Sequence, residues 1–282
     1  MNDMSLPTVA EVEARAASAV KQRQAWVLTL RLVILAVLLG GWELAARFNI
    51  LDPFFFSKPS DIVLRLIVWV QDGTSLGPLW YQIWVTMEEA ILGFFWGAIA
   101  GVIVGIALGR NRFWADVFSI YIKVFNAIPR IVLAPIFIMA FGLGMTSKVA
   151  VSFVMVFFVV FANAFQGVRE ADRAMIANAR ILGASNWGVT RAVVLPSALS
   201  WIFASLHVSF GFAIVGAVVG ELLGSRAGIG QLIAIAQGSF DSAGVFGGML
   251  VLLVVALAAD YVMTALEKMI VRWRPLPTHD EY

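Results

Sequence analysis

The chain has 282 residues, of which 61% are hydrophobic and only 13% charged, and its mean hydropathy is +0.88. A soluble domain carries about a quarter charged residues, so the composition excludes an ordinary soluble protein. A net charge of +2 leaves no basic excess for nucleic acid, and the absence of cysteine excludes disulfide and thiol chemistry.

Six stretches are long and apolar enough to cross a bilayer: residues 26–46, 86–109, 117–141, 149–167, 201–223 and 244–266. The expected fold is therefore all-α and polytopic. Residues 1–25 carry Glu11, Glu13, Arg15, Lys21 and Arg23 with no small-residue cleavage site behind them. The first span reads as a retained helix and not a signal peptide. The run at 61–70 follows Pro59-Ser60-Asp61, a good helix start, but is too short to span and reads as an interfacial helix. The organisation predicted is an N-terminal segment 1–25, a first span with its interfacial segment 26–85, a core 86–270 with a polar loop at 168–200, and a tail 271–282.

Six spans put both termini on one side. Placing them in the cytoplasm gives the inner segments 12 Lys and Arg in 81 positions and the outer segments 5 in 66. That bias predicts cytoplasmic termini and a cytoplasmic loop 168–200.

The second span carries Gly93, Gly97, Gly101, Gly105 and Gly109, four successive G-x-x-x-G steps. Residues four apart stack on one helix face, and small residues let two backbones approach in lipid. The fifth span repeats the device with Gly216, Gly220 and Gly224. The reading is close helix packing, within the subunit or between two copies, and the two stripes fit a homodimer.

In the third span Ser119, Lys123, Asn126 and Arg130 fall at i, i+4, i+7 and i+11, one face of a helix. Pro129 removes a backbone donor and predicts a kink there. A cation near mid-membrane costs about 2.5–3.5 kcal/mol, so this face reads as the lining of an aqueous path suited to an anion. The alternatives are snorkelling of Lys123 and pairing of Arg130 with Glu88, Glu89, Glu221 or Asp260. Asp260 is expected to be buried in the last span, and all four acids read as helix-end or pairing charges. Neither His207 nor His279 has a second histidine nearby, so no metal site is expected.

Segment 168–200 is polar between two apolar runs. It reads as two short helices about a turn. The first ends at Gly183, Ser185 or Asn186 caps the second, which begins at Trp187, and Pro196 marks re-entry as a new helix. Arg173, Arg180 and Arg191 face water or a partner, and Ile181, Leu182, Trp187 and Val189 offer an apolar contact surface.

This loop resembles the signature loop of the permease subunits of binding-protein-dependent ABC importers. That pattern is E-A-A, three residues, G, nine residues, then I-x-L-P. Here Gly183 is followed by nine residues and Val193-Val194-Leu195-Pro196, and Ala179 matches the third position, while Ala177 and Asn178 depart from the first two. "IPRIVLAPIFIMAFGLG" at 128–144, "ILGASNWGVTRAVVLPSAL" at 181–199, "VVGELLGSRAGIGQLI" at 218–233 and "FFFSKPSDIV" at 54–63 are similar to the nitrate/sulfonate/taurine branch of that family.

The resemblance implies a MetI-like permease fold and a subunit without its own catalytic, cofactor or metal site. It implies that Ala177, Asn178, Ala179, Arg180, Leu182, Gly183, Ala184, Ser185 and Trp187 form a coupling helix that docks on a cytoplasmic ATPase. It further implies two ATPase copies holding ATP and magnesium, a second permease copy, a periplasmic solute-binding protein, and a place in the bacterial inner membrane. The chain itself lacks a G-x-x-x-x-G-K-[ST] phosphate loop. The solute implied is small and anionic, such as a sulfonate, taurine or nitrate.

Besides a pure scaffold role, which would leave the Lys123–Arg130 face unexplained, there are two rival readings. One is an ion-coupled carrier or channel for small anions that needs no ATPase. The other is a membrane serine protease using Ser185 and His207.

Overall fold

The computed structural model describes residues 9–270; the N-terminal eight residues and the tail 271–282 lie outside them. Twelve α-helices account for the described chain, with no strand among the described residues. By contacts the chain divides into two compact units, Met1–Leu64 and Arg65–Tyr282.

The first unit is built on α1 (Val9–Arg47), α2 (Pro53–Phe56) and the start of α3 (Pro59–Gln71). One carboxylate organises it. Glu43 pairs with Arg47 at 2.7 Å and accepts from the backbone N–H and the hydroxyl of Ser60, both at 3.0 Å. It therefore supplies the anion that the N-terminus of α3 needs. Asp52 does the same for α2, accepting from the Phe54 N–H at 2.9 Å.

The second unit holds α4 (Leu79–Arg110), α5 (Arg112–Ala127), α6 (Ala134–Phe141), α7 (Met145–Arg169), α8 (Arg173–Ile181), α9 (Asn186–Val189), α10 (Leu195–Leu223), α11 (Ile229–Gly238) and α12 (Ser242–Ile270). Five stretches are long and apolar enough to cross a membrane: Val20–Arg47, Leu79–Arg110, Met145–Arg169, Asn186–Leu223 and Ser242–Glu267. The pair Phe113–Phe125 and Arg130–Phe141 supplies a sixth if taken as one broken span. These match the six apolar stretches of the sequence.

Helix α7 is the axis of the unit, and both glycine stripes close on it. A Cβ at Gly97 would meet the Phe153 carbonyl at 2.8 Å, and one at Gly101 the Phe157 carbonyl at 2.9 Å. At Gly105 and Gly109 it would meet the side chains of Ala164 and Val168 at 2.7 and 2.9 Å, and at Gly93 it would run into Ser152. On the α10 side, Gly216 lies against the Ser152 backbone and Gly220 against Lys148. The stripes thus act inside the subunit. They give no support to a homodimer. Ser152 adds a hydroxyl bond to the Ala213 carbonyl at 2.9 Å, and Val156, Val160, Ala213 and Ala217 complete the buried seam.

Candidate functional site: the polar loop, the broken span and a buried polar node

The polar loop is rigid for local reasons. Asp172 caps α8 by accepting from the Ala174 N–H at 2.7 Å. Helix α8 ends in a Schellman turn: the Ala184 N–H donates to the Ala179 carbonyl at 3.0 Å and the Gly183 N–H to the Arg180 carbonyl at 2.9 Å. Gly183 has φ +84°, the left-handed conformation that such a turn demands. Ser185 then accepts from the Gly188 N–H at 3.1 Å and caps α9.

The side chains at the turn point away from the core. Ile181 and Leu182 are 82% and 86% exposed, and Trp187 is 64% exposed beneath the Arg110 guanidinium, 5.7 Å from its ring. Ala177, Asn178 and Arg180 are exposed on α8, while Ala179 and Ala184 are half-buried against the cluster around Val168 and Val189. Val189, expected on the contact surface, is buried instead in the cluster of Ala164, Val168, Val194 and Ala198.

The sequence placed a membrane re-entry at Pro196. The structure has no new start there. α9 continues through a π turn, Thr190–Val194, into α10, so the helix runs unbroken from Asn186 to Leu223. A proline inside an α-helix clashes with the carbonyl four residues back. The wide turn, with the Leu195 N–H bonded to the Thr190 carbonyl, relieves that clash and keeps the helix whole. The same continuity disposes of the protease reading. Ser185 and His207 lie 22 residues apart along this stretch, roughly 33 Å at 1.5 Å per residue. His207 is engaged elsewhere, with Asp260 at 3.0 Å and Glu267 at 3.2 Å.

The third apolar stretch is broken, not merely kinked. α5 ends at Ala127, Pro129 follows, Arg130–Leu133 forms a 3-10 turn, and the two arms meet at 82°. Ser119, Lys123 and Asn126 share α5, but Arg130 lies past the break. The single four-residue face expected from the spacing does not exist as one continuous helix face. Lys123 is exposed and Ser119 half-buried, its hydroxyl bonded to the Asp116 carbonyl at 2.8 Å. Arg130 is half-buried, with its guanidinium 5.5 Å over the Phe158 ring. Of the acids proposed as its partners, Glu221 is engaged by Thr86 and Gly230, and Asp260, expected to be buried, is 62% exposed and faces His207. Non-helical backbone at membrane depth persists only where protein buries it or water lines it. Around this break Ile128, Ile131 and Val132 are all exposed.

At the end of the spans away from the loop sits a node of buried polar groups that the sequence reading missed. Glu221 is fully buried. Its Oε1 accepts from the Thr86 hydroxyl at 2.7 Å and its Oε2 from the Gly230 N–H at 2.6 Å. Thr86 in turn accepts from the Ile229 N–H at 2.9 Å, and Gln82 accepts from the Gly228 N–H at 2.8 Å. Lys148, also fully buried, donates to the Leu143 carbonyl at 2.6 Å, and Glu89 lies beside both Glu221 and Lys148. The node therefore ties the Gly-Ile-Gly turn before α11 to α4, α7 and α10. A signal was present: Gln82, Thr86 and Glu89 continue the glycine stripe of the second span backward at helical spacing.

These features define a polytopic helical membrane permease: a glycine-packed bundle, one broken span, and a stiff polar loop carried between two spans. The chain belongs to the family of binding-protein-dependent transport system inner membrane components, whose model matches residues 94–272. It is a multi-pass inner-membrane transport subunit.

Among curated relatives it is 29% identical over 86% of its length, and 87% of theirs, to the putative aliphatic sulfonates transport permease protein SsuC of Bacillus subtilis. It is 32% identical to the riboflavin transport system permease protein RibX of Chloroflexus aurantiacus, over 86% of this chain and 88% of that one. To the taurine transport system permease protein TauC of Escherichia coli it is 27% identical, over 87% and 90%. Its fold is similar to a chain of the inward-facing MetNI methionine ABC transporter, with TM-score 0.58 and 19% identity over 69% of this chain and 96% of that one. It is also similar to a chain of an amino acid ABC transporter, with TM-score 0.53 and 18% identity over 66% and 89%.

Proposed function

We propose that this permease is the membrane half of an ATP-driven importer, with the loop 168–200 and both termini in the cytoplasm and the loop docked on a separate ATPase. The observation that carries the reading is the apolar tip Ile181, Leu182 and Trp187. These side chains stand exposed on a turn held rigid by a Schellman motif and a serine cap. Exposed apolar groups on an otherwise polar, stiff projection suit a protein partner. ATP and magnesium then belong to that partner. Two ATPases work with two copies of the permease, and a periplasmic binding protein delivers the solute.

The solute is a small anion. Lys123 and Arg130 flank the break in the third span, where irregular backbone implies a water-filled path. The sulfonate and taurine permeases among the relatives support that choice. The riboflavin permease shows that the family accepts other solutes, and Arg130 over Phe158 is also compatible with an aromatic one.

The test is Gly183→Val. The site has open space around it, but a side chain in the left-handed region costs about 1–2 kcal/mol and the turn re-orients. Membrane insertion is expected to be normal, while solute-stimulated ATPase activity and uptake are lost in vesicles carrying the complete transporter. Wild-type uptake by this variant refutes the reading.

A further inference from the structure

Two adjoining cavities, of about 410 and 670 Å³, open where the loop meets the ends of α4 and α7. Both are lined by Gly109, Arg110, Val168, Ile176 and Arg180. Arg110 closes α4, and Arg169, in the smaller cavity, closes α7. The cavities therefore lie at the level where two spans leave the hydrocarbon, the depth of lipid headgroups.

Their charge is one-sided. No Asp or Glu lines either cavity. The acids close by in sequence already have work: Asp116 pairs with Arg169 at 3.3 Å, Glu170 accepts from Gln166, and Asp172 caps α8. Arg110 and Arg180 have no carboxylate partner among the described residues. Arg110 is held in place by the Trp187 ring. The larger cavity adds Asn111, Asn186 and Thr190 as polar lining and Val189 and Val194 as apolar wall. Ile181, Leu182 and Trp187 line neither cavity, although the pocket adjoins the apolar tip, since Arg110 rests on the Trp187 ring and Arg180 shares α8 with Ile181.

Two guanidiniums without acids, set beside an apolar wall at headgroup depth, match a phosphodiester attached to acyl chains. We propose that this pocket binds the phosphate headgroup of an anionic membrane lipid, which bridges Arg110 on α4 and Arg180 on α8 and fastens the loop to the bundle. The proposal does not rest on the ATPase reading, because its readout is lipid binding by the permease alone.

The test is native mass spectrometry of the purified full chain, released from mixed micelles containing dioleoylphosphatidylglycerol or dioleoylphosphatidylcholine. Retention of phosphatidylglycerol over phosphatidylcholine is expected. Arg110→Gln and Arg180→Gln each weaken phosphatidylglycerol binding about fivefold, the size of one basic side chain near an anionic surface. Arg191→Gln, on the same loop but outside both cavities, leaves it unchanged. Equal retention of the two lipids overturns the proposal. So does an Arg191→Gln loss as large as that of Arg110→Gln, which signals diffuse surface charge. Displacement of the lipid by excess inorganic phosphate that itself remains bound assigns the pocket to a soluble anion and overturns the lipid identification.

Discussion

Helices α7 and α5 are both apolar, yet the structure treats them in opposite ways. α7 is gripped along its length by two glycine stripes and carries the buried seam, and even its lysine at 148 is fully buried. α5 and the arm beyond its break leave Phe113, Ile120, Tyr121, Phe125, Val132 and Met139 exposed. Hydrophobicity does not separate these two helices, since both are rich in it. What separates them is the presence of a small-residue groove on a neighbour. In lipid that groove, and not apolar burial, is what draws helices together. The gripped helix forms the core of its unit, and the ungripped, broken one keeps its apolar side chains exposed.

This contrast can be broken most severely at the buried node. Glu221→Ala removes the acceptor for both the Thr86 hydroxyl and the Gly230 N–H and leaves the Lys148 charge with less compensation. A loss of about 3–5 kcal/mol is expected, read as a large fall in the thermal unfolding midpoint of the solubilised chain. Next in size is Gly97→Leu, which drives a side chain into the Phe153 carbonyl and the Val156 side chain. Overpacking against backbone costs about 1–3 kcal/mol or more, and the yield of folded, inserted protein should drop accordingly. The smallest effect is expected on the ungripped arm. Met139 is 87% exposed, and Met139→Ser should move the unfolding midpoint of the isolated chain by no more than about 0.5 kcal/mol equivalent. A Met139→Ser cost equal to that of Gly97→Leu would erase the distinction between the two helices.

Much of this architecture was readable in the chain, for identifiable reasons. Span positions follow from long apolar runs, and the loop turn follows from Gly183 and Ser185, because capping and left-handed conformation are local properties of a few residues. Tertiary choices were less visible. Nothing in the spacing of Gly93 to Gly109 says whether its partner is α7 of the same subunit or a helix of another. The face shared by Ser119, Lys123, Asn126 and Arg130 assumed that a helix survives Pro129. It does not, because the 3-10 turn after the proline re-aims Arg130. Pro196 misled in the opposite direction, since a π turn absorbed a proline that by itself reads as a helix start. The node around Glu221 escaped because its members come from four separated segments, and only the Gln82–Thr86–Glu89 stripe was visible locally.

The unbroken stretch from Asn186 to Leu223 has a mechanical consequence. At 1.5 Å per residue its 38 residues make a rod of roughly 57 Å, with Trp187 near one tip and Glu221 near the other. A helix resists bending except at a widened turn, so the part beyond Val194 moves as one body, and the Trp187 tip can turn against it. The compliance is concentrated in the five residues Thr190–Val194. The loop's tip and the buried polar node are in this way carried on a single helix with one soft joint.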